Sequence, residues 1–134
     1  MPQYKYTADA ASKISKHGID LVIYHQPTAS AEVVHVSVKE GHFEEFYNTK
    51  STFIYYIVEG HGVFVLNDEH IEATATDLIV APPDTHIHYF GTMEMVLTTT
   101  PAFDPADEHH VRFVDKSENP FAKAKSADAS STKA

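Results

Sequence analysis

The sequence predicts an all-β domain, a sandwich or barrel, on three observations. Short runs rich in β-branched and aromatic residues recur along the chain between clusters of Gly, Pro, Asn and Asp. Apolar residues show no sustained helical spacing. Two dipeptides, Gly60-His61 and Asn67-Asp68, have the chemistry of tight turns.

Taken in order, the first 18 residues are polar and predict an extension with a short helix near 8–16. Strands are expected at 21–25, 32–39 and 42–47, where Val, Ile, Phe and Tyr recur. Two more, 53–59 and 63–66, flank Gly60-His61, where glycine supplies the positive φ of a hairpin turn. That hairpin would set Tyr55 opposite Leu66 and put Phe53, Tyr55, Ile57, Phe64 and Leu66 on one face. After the Asn67-Asp68 turn come 71–73 and 78–81, and Pro82-Pro83-Asp84 breaks the chain. Strands 87–90 and 93–100 are joined by Gly91-Thr92, and 111–114 is the last. Beyond Val114 the composition turns to Ala, Ser and Lys, so 19–114 is expected to be the folded domain and 115–134 a flexible tail.

Composition narrows the function. The 134 residues suit one core. With no cysteine, disulfides, thiolate nucleophiles and Cys-ligated zinc are excluded, and a reducing cytoplasmic location is expected. No apolar run reaches membrane-span or signal-peptide length. Residues 1–114 hold six basic and sixteen acidic side chains, a net charge of −10, with Arg112 the one arginine. Such a body lacks the basic footprint that nucleic acids require, and it disfavours membrane surfaces and polyphosphates. No nucleophile elbow or phosphate-binding glycine loop occurs.

Gly41 and Gly60 stand at the spacing of the two glycines of the first cupin motif, and Thr76-Asp77 through Pro82 resembles the second motif. The chain resembles small single-domain members of the cupin superfamily over about residues 35–103. That resemblance implies a double-stranded β-helix, or jelly-roll barrel, and a homodimer. Cupin enzymes hold Fe, Mn, Ni or Zn with three histidines and a glutamate. The glycine alignment puts Tyr47, Thr49 and Phe53 on three of those ligand positions. The fourth is Ile87 in one register and His88 in the next, and one residue of slip exchanges the faces of a strand.

Two functions therefore stand side by side, with a third, an oligomeric structural or interaction module, behind them. The first is a small-molecule-binding cupin with no metal, its pocket lined by Tyr47, Thr49, Phe53, Tyr55, Phe64 and Ile87 and preferring neutral or cationic ligands. The second is a metal-dependent isomerase, lyase or dioxygenase using His42, Glu44, His86 and His88. In the first reading the His42-Phe43-Glu44 segment is a charged outer strand face.

Overall fold

The computed structural model describes residues 3–25 and 28–121. Its strands are β1 (Ser12–Lys16), β2 (Ile19–Ile23), β3 (Glu32–Val38), β4 (Gly41–Asn48), β5 (Thr52–Leu66), β6 (Glu69–Thr74), β7 (Leu78–Ala81), β8 (Ile87–Thr100) and β9 (Glu108–Phe113). No helix among the described residues is long and apolar enough to cross a membrane.

Two long strands organise the fold. β5 and β8 pair antiparallel from Thr52↔Thr100 to Leu66↔Ile87, with a bulge between Ile57 and Glu59. Short strands flank this ladder. β3 and then β4 lie along the other edge of β8, while β7 and β6 lie along the other edge of β5. One half of the ladder thus belongs to a sheet β1-β2-β3-β8-β5-β7 and the other half to a sheet β9-β4-β8-β5-β6. The two sheets meet over a core that includes Val36, Ile57, Phe64 and Met95, each fully buried.

The change of sheet falls where Gly62 pairs with Gly91. A Cβ on Gly62 would lie 2.3 Å from the Phe90 carbonyl oxygen, and one on Gly91, whose φ is +133°, would lie 2.4 Å from that of His61. Only glycine lets the backbones approach this closely at the bend.

Several expectations are corrected. Gly60-His61 is not a hairpin turn, and Gly91-Thr92 is not a linker; both lie inside continuous strands. Glycine marks a bend in a long strand as readily as a chain reversal. The shared face of Phe53, Tyr55, Ile57, Phe64 and Leu66 is nevertheless observed, because the Ile57/Glu59 bulge keeps both halves of β5 facing the core. The Asn67-Asp68 turn is present, both residues having positive φ.

The expected helix near 8–16 is a single 3-10 turn, Ala8–Ala10, followed by β1. β1 pairs along its whole length with β2 across the positive-φ pair His17-Gly18, so the sheet begins before residue 19. At the other end, Asp115 and Glu118 close a capping box, Asn119 is buried, and Phe121 packs on the cluster of Val65, Phe90 and Val114. The chain therefore packs on the barrel through Phe121. Residues 122–134 of the expected tail lie outside the described residues.

Gly91→Ala is expected to destabilise the fold by about 2–4 kcal/mol, from backbone overlap at a conformation that L-residues rarely adopt. Urea unfolding of the variant against the parent measures it, and an unchanged midpoint would contradict the bend.

Candidate active site

Between the sheets lies a cavity of about 410 Å³. Its walls are mostly apolar, with Leu21, Ile23, Val34, Leu97 and Phe103 among them, and its polar residues gather at particular levels. β4 supplies the first group. Gly41 pairs with Phe90 and His42 with Tyr89, so alternate residues His42, Glu44 and Phe46 face the cavity. His42 packs against Phe46 and Tyr89, with ring centroids 5.3 and 5.2 Å away. Tyr55, brought across by β5, meets the Tyr89 ring edge-on at 5.7 Å. Lys16 from β1 and Glu108 from β9 complete this end.

Burial decides the protonation states. His42 is 3% exposed, and neither ring nitrogen has a hydrogen-bond partner among the described residues. Desolvation, reinforced by Lys16, His17 and His88, lowers its pKa to about 3, so it is a neutral imidazole with a free lone pair at physiological pH. Burial also holds the Tyr55 and Tyr89 hydroxyls protonated, well above the usual phenol range. Glu108 is pushed up by burial, with Lys16 opposing and Glu44 adding to the shift. The cavity therefore holds a neutral base, two neutral hydroxyls and a carboxyl with raised proton affinity. Glu44 stands behind His42, one oxygen 3.9 Å from its Nε2 and 3.8 Å from His17 Nε2, the other 2.9 Å from His110 Nδ1.

The residues singled out from the sequence divide by face. Phe53 and Tyr55 line the cavity. Phe64 and Ile87 are buried in the core beside it, and the register puts Ile87 inward and His88 on the opposite side. Tyr47 does not reach the cavity: its ring stacks between His86, at 4.9 Å, and His109, at 5.0 Å, on the outer side of β4. Thr49 is exposed and bonds the Asp107 carbonyl oxygen. The glycine alignment had set β4 one face off, which exchanges the inward and outward sets. For the same reason the outer-face reading of His42-Phe43-Glu44 is corrected: its two polar residues point in.

The four alternative metal ligands do not converge. His42 and Glu44 face the cavity, whereas His86 and His88 gather on Glu45 outside it, at 3.1 and 3.4 Å. Arg112 Nε donates to that same carboxylate at 3.1 Å. Among the described residues no three His, Asp or Glu side chains form a metal-holding group.

Comparison with known proteins turns on solved structures. Neither a family profile nor a curated protein sequence matches the chain. Pac13, described as a nucleoside dehydratase, is 57% identical, with a TM-score of 0.87 over 89% of this chain and 99% of its own. A cupin from Shewanella frigidimarina, described as RmlC-like, shares the fold at 17% identity, with a TM-score of 0.63 over 77% of this chain and 95% of its own. The chain belongs to the cupin superfamily. KdgF from Halomonas likewise shares this cupin's fold at 18% identity, with a TM-score of 0.67 over 78% of the chain and 99% of its own. Streptomyces Pac13 has also been solved with uridine in three variants, H42Q, Y55F and Y89F, at 56–57% identity to this cupin. The residues of those numbers here are His42, Tyr55 and Tyr89, the three that meet at the cavity.

Tyr89, Glu108, Lys16 and Thr99 line the cavity without having been singled out from the sequence. For Tyr89 a signal existed: once Ile87 is taken as inward, alternation turns Tyr89 inward as well. Lys16 and Glu108 lie on strands whose place beside the cavity depends on long-range pairing, and no local pattern marks them.

The His42 assignment has a measurable linkage. Its folded-state pKa lies below the ordinary 6.5, so the unfolded chain binds the proton first and stability is lost as pH falls from about 6.5 to about 3. Relative to H42Q, the parent protein is expected to lose on the order of 4 kcal/mol across that window. Denaturant unfolding at several pH values measures it, and parallel pH profiles for the two proteins would contradict a buried neutral His42.

Proposed function

We propose that this cupin is a nucleoside dehydratase and that its reaction takes place at the His42 end of the cavity. The observation that carries the reading is a neutral imidazole, without a hydrogen-bond partner among the described residues, buried opposite two protonated tyrosines and a carboxyl of raised pKa. Dehydration needs that pairing of base and acid. His42 takes a proton from the carbon next to the one bearing the departing hydroxyl, and the electrons of that C–H bond become the new π bond. The C–O bond breaks, and Glu108 protonates the hydroxyl so that water leaves. Proton exchange with solvent returns His42 and Glu108 to their starting states. Tyr55 and Tyr89 orient the substrate by donating hydrogen bonds to its oxygens, in a site dry enough for those bonds to be strong. The similarity to Pac13 and its uridine complexes supports the substrate class.

Side chains supply every proton transfer in this scheme, which supports a reading without a metal cofactor. Charge supports an uncharged substrate. Lys16 stands against Glu32 and Glu44 in the cavity lining, so a phosphate would enter a site with an excess of carboxylates.

Calorimetry is expected to show uridine binding at least tenfold more tightly than uridine monophosphate. With a turned-over nucleoside, H42Q is expected to lose at least a hundredfold in kcat with little change in KM. Tyr56→Phe, on the outer face, serves as the control and is expected to behave as the parent. Tighter binding of the monophosphate, or an H42Q enzyme of parental kcat, would contradict the reading.

A further inference from the structure

The cavity has a second polar level that the proposed chemistry does not use. Along β8 the inward residues Met93, Met95 and Leu97 are apolar, and the stripe ends at Thr99. Along β3, Val38, Val36 and Val34 end in the same way at Glu32, which pairs directly with Thr99. Directly opposed residues of an antiparallel pair share a face, so hydroxyl and carboxyl stand side by side on the cavity wall. Thr99 is 2% exposed, and its Oγ1 has no hydrogen-bond partner among the described residues. A buried hydroxyl left unpaired weakens folding, and valine would fill the same volume without that penalty. Its presence in an apolar stripe is explained if something that enters the cavity completes its bonding.

Position supports the same conclusion. On the other edge of β8, Thr99 pairs with Phe53, one inward step from Leu97↔Tyr55. A two-residue step is roughly 7 Å along a strand. That offset is comparable with the distance from a nucleoside's sugar to the far edge of its base. Phe53 and Phe103 line the cavity at this level, as flat apolar surfaces for an aromatic ring.

We propose that Thr99 and Glu32 form the subsite that reads the imide edge of a pyrimidine base, Thr99 donating to a ring carbonyl and Glu32 accepting from N3–H. The sugar is thereby directed toward His42, Tyr55 and Tyr89. This assignment rests on the nucleoside reading of the cavity. It makes N3–H a requirement, so uridine is favoured over 3-methyluridine, in which that donor is replaced by a methyl group. Burial raises the Glu32 pKa, while His25 nearby favours its ionised form.

Calorimetry with uridine and 3-methyluridine on the parent, T99V and T99S tests the subsite. T99V is expected to bind uridine 3- to 10-fold more weakly while unfolding at the same or a higher temperature, and T99S, which keeps the hydroxyl, to bind nearly as the parent does. The parent is expected to bind 3-methyluridine at least tenfold more weakly than uridine. Affinity that falls while stability does not is a signature that a packing role for Thr99 would not produce. Parental uridine affinity in T99V, or equal binding of the two nucleosides by the parent, would overturn the subsite alone. A parent protein that binds neither nucleoside would overturn the nucleoside reading, and the subsite with it.

Discussion

The β5–β8 ladder is the constraint on which the rest of the molecule depends. Two strands of 15 and 14 residues run through both sheets, and every other sheet contact is arranged along their outer edges or beyond. Such a ladder can serve two sheets only if it bends, and the bend is made by Gly62 against Gly91 next to a bulge in β5. Because the bulge shifts β5 by one residue, both halves of the ladder keep an inner face toward the core, and Tyr55 from one half and Tyr89 from the other enter the same space. β4 then adds His42 by pairing with Tyr89. These three cavity side chains are therefore held by backbone pairing rather than by loops, which fixes their mutual geometry.

Electrostatics follows from the same architecture. The two inner faces supply apolar walls, and a low-dielectric interior penalises charge on whatever titratable group points into it. That single effect moves an imidazole down and a carboxyl and two phenols up, so the imidazole is neutral at the same pH at which both phenols keep their protons. The adjacent carboxylates of β4 illustrate how alternation separates tasks. Glu44 faces in and lies near His42, while Glu45 faces out and ties Arg112 to the barrel, and Arg112 in turn holds Glu118 and the turn that follows β9.

Much of this was legible from the residues, and the parts that were not share a physical cause. The all-β class, the Asn67-Asp68 turn and the inward set on β5 follow from local alternation and turn chemistry, which act over a few residues. Strand length did not follow, because Gly60-His61 and Gly91-Thr92 carry the same local signal whether the chain reverses or bends, and only the pairing partner distinguishes the two. Tyr47 and His42 were exchanged between faces by the same kind of ambiguity, since the glycine spacing fixed a frame for β4 that its pairing with β8 does not follow. Lys16 and Glu108 lie more than 90 residues apart and meet only through the closed sheets. Thr99 carries no local signal, because a threonine in a strand is ordinary; what distinguishes it is a buried hydroxyl with no partner among the described residues.

The barrel interior keeps His42 a neutral imidazole, and the ionisation of that one ring can be followed directly. Nitrogen-15 NMR of histidine-labelled protein, with H42Q used to assign the signal, follows the imidazole as pH is lowered. His42 is expected to stay neutral at pH 5, where most exposed histidines have taken up a proton, and to protonate only at about pH 3. A His42 ring that titrates between pH 6 and 7 would contradict it.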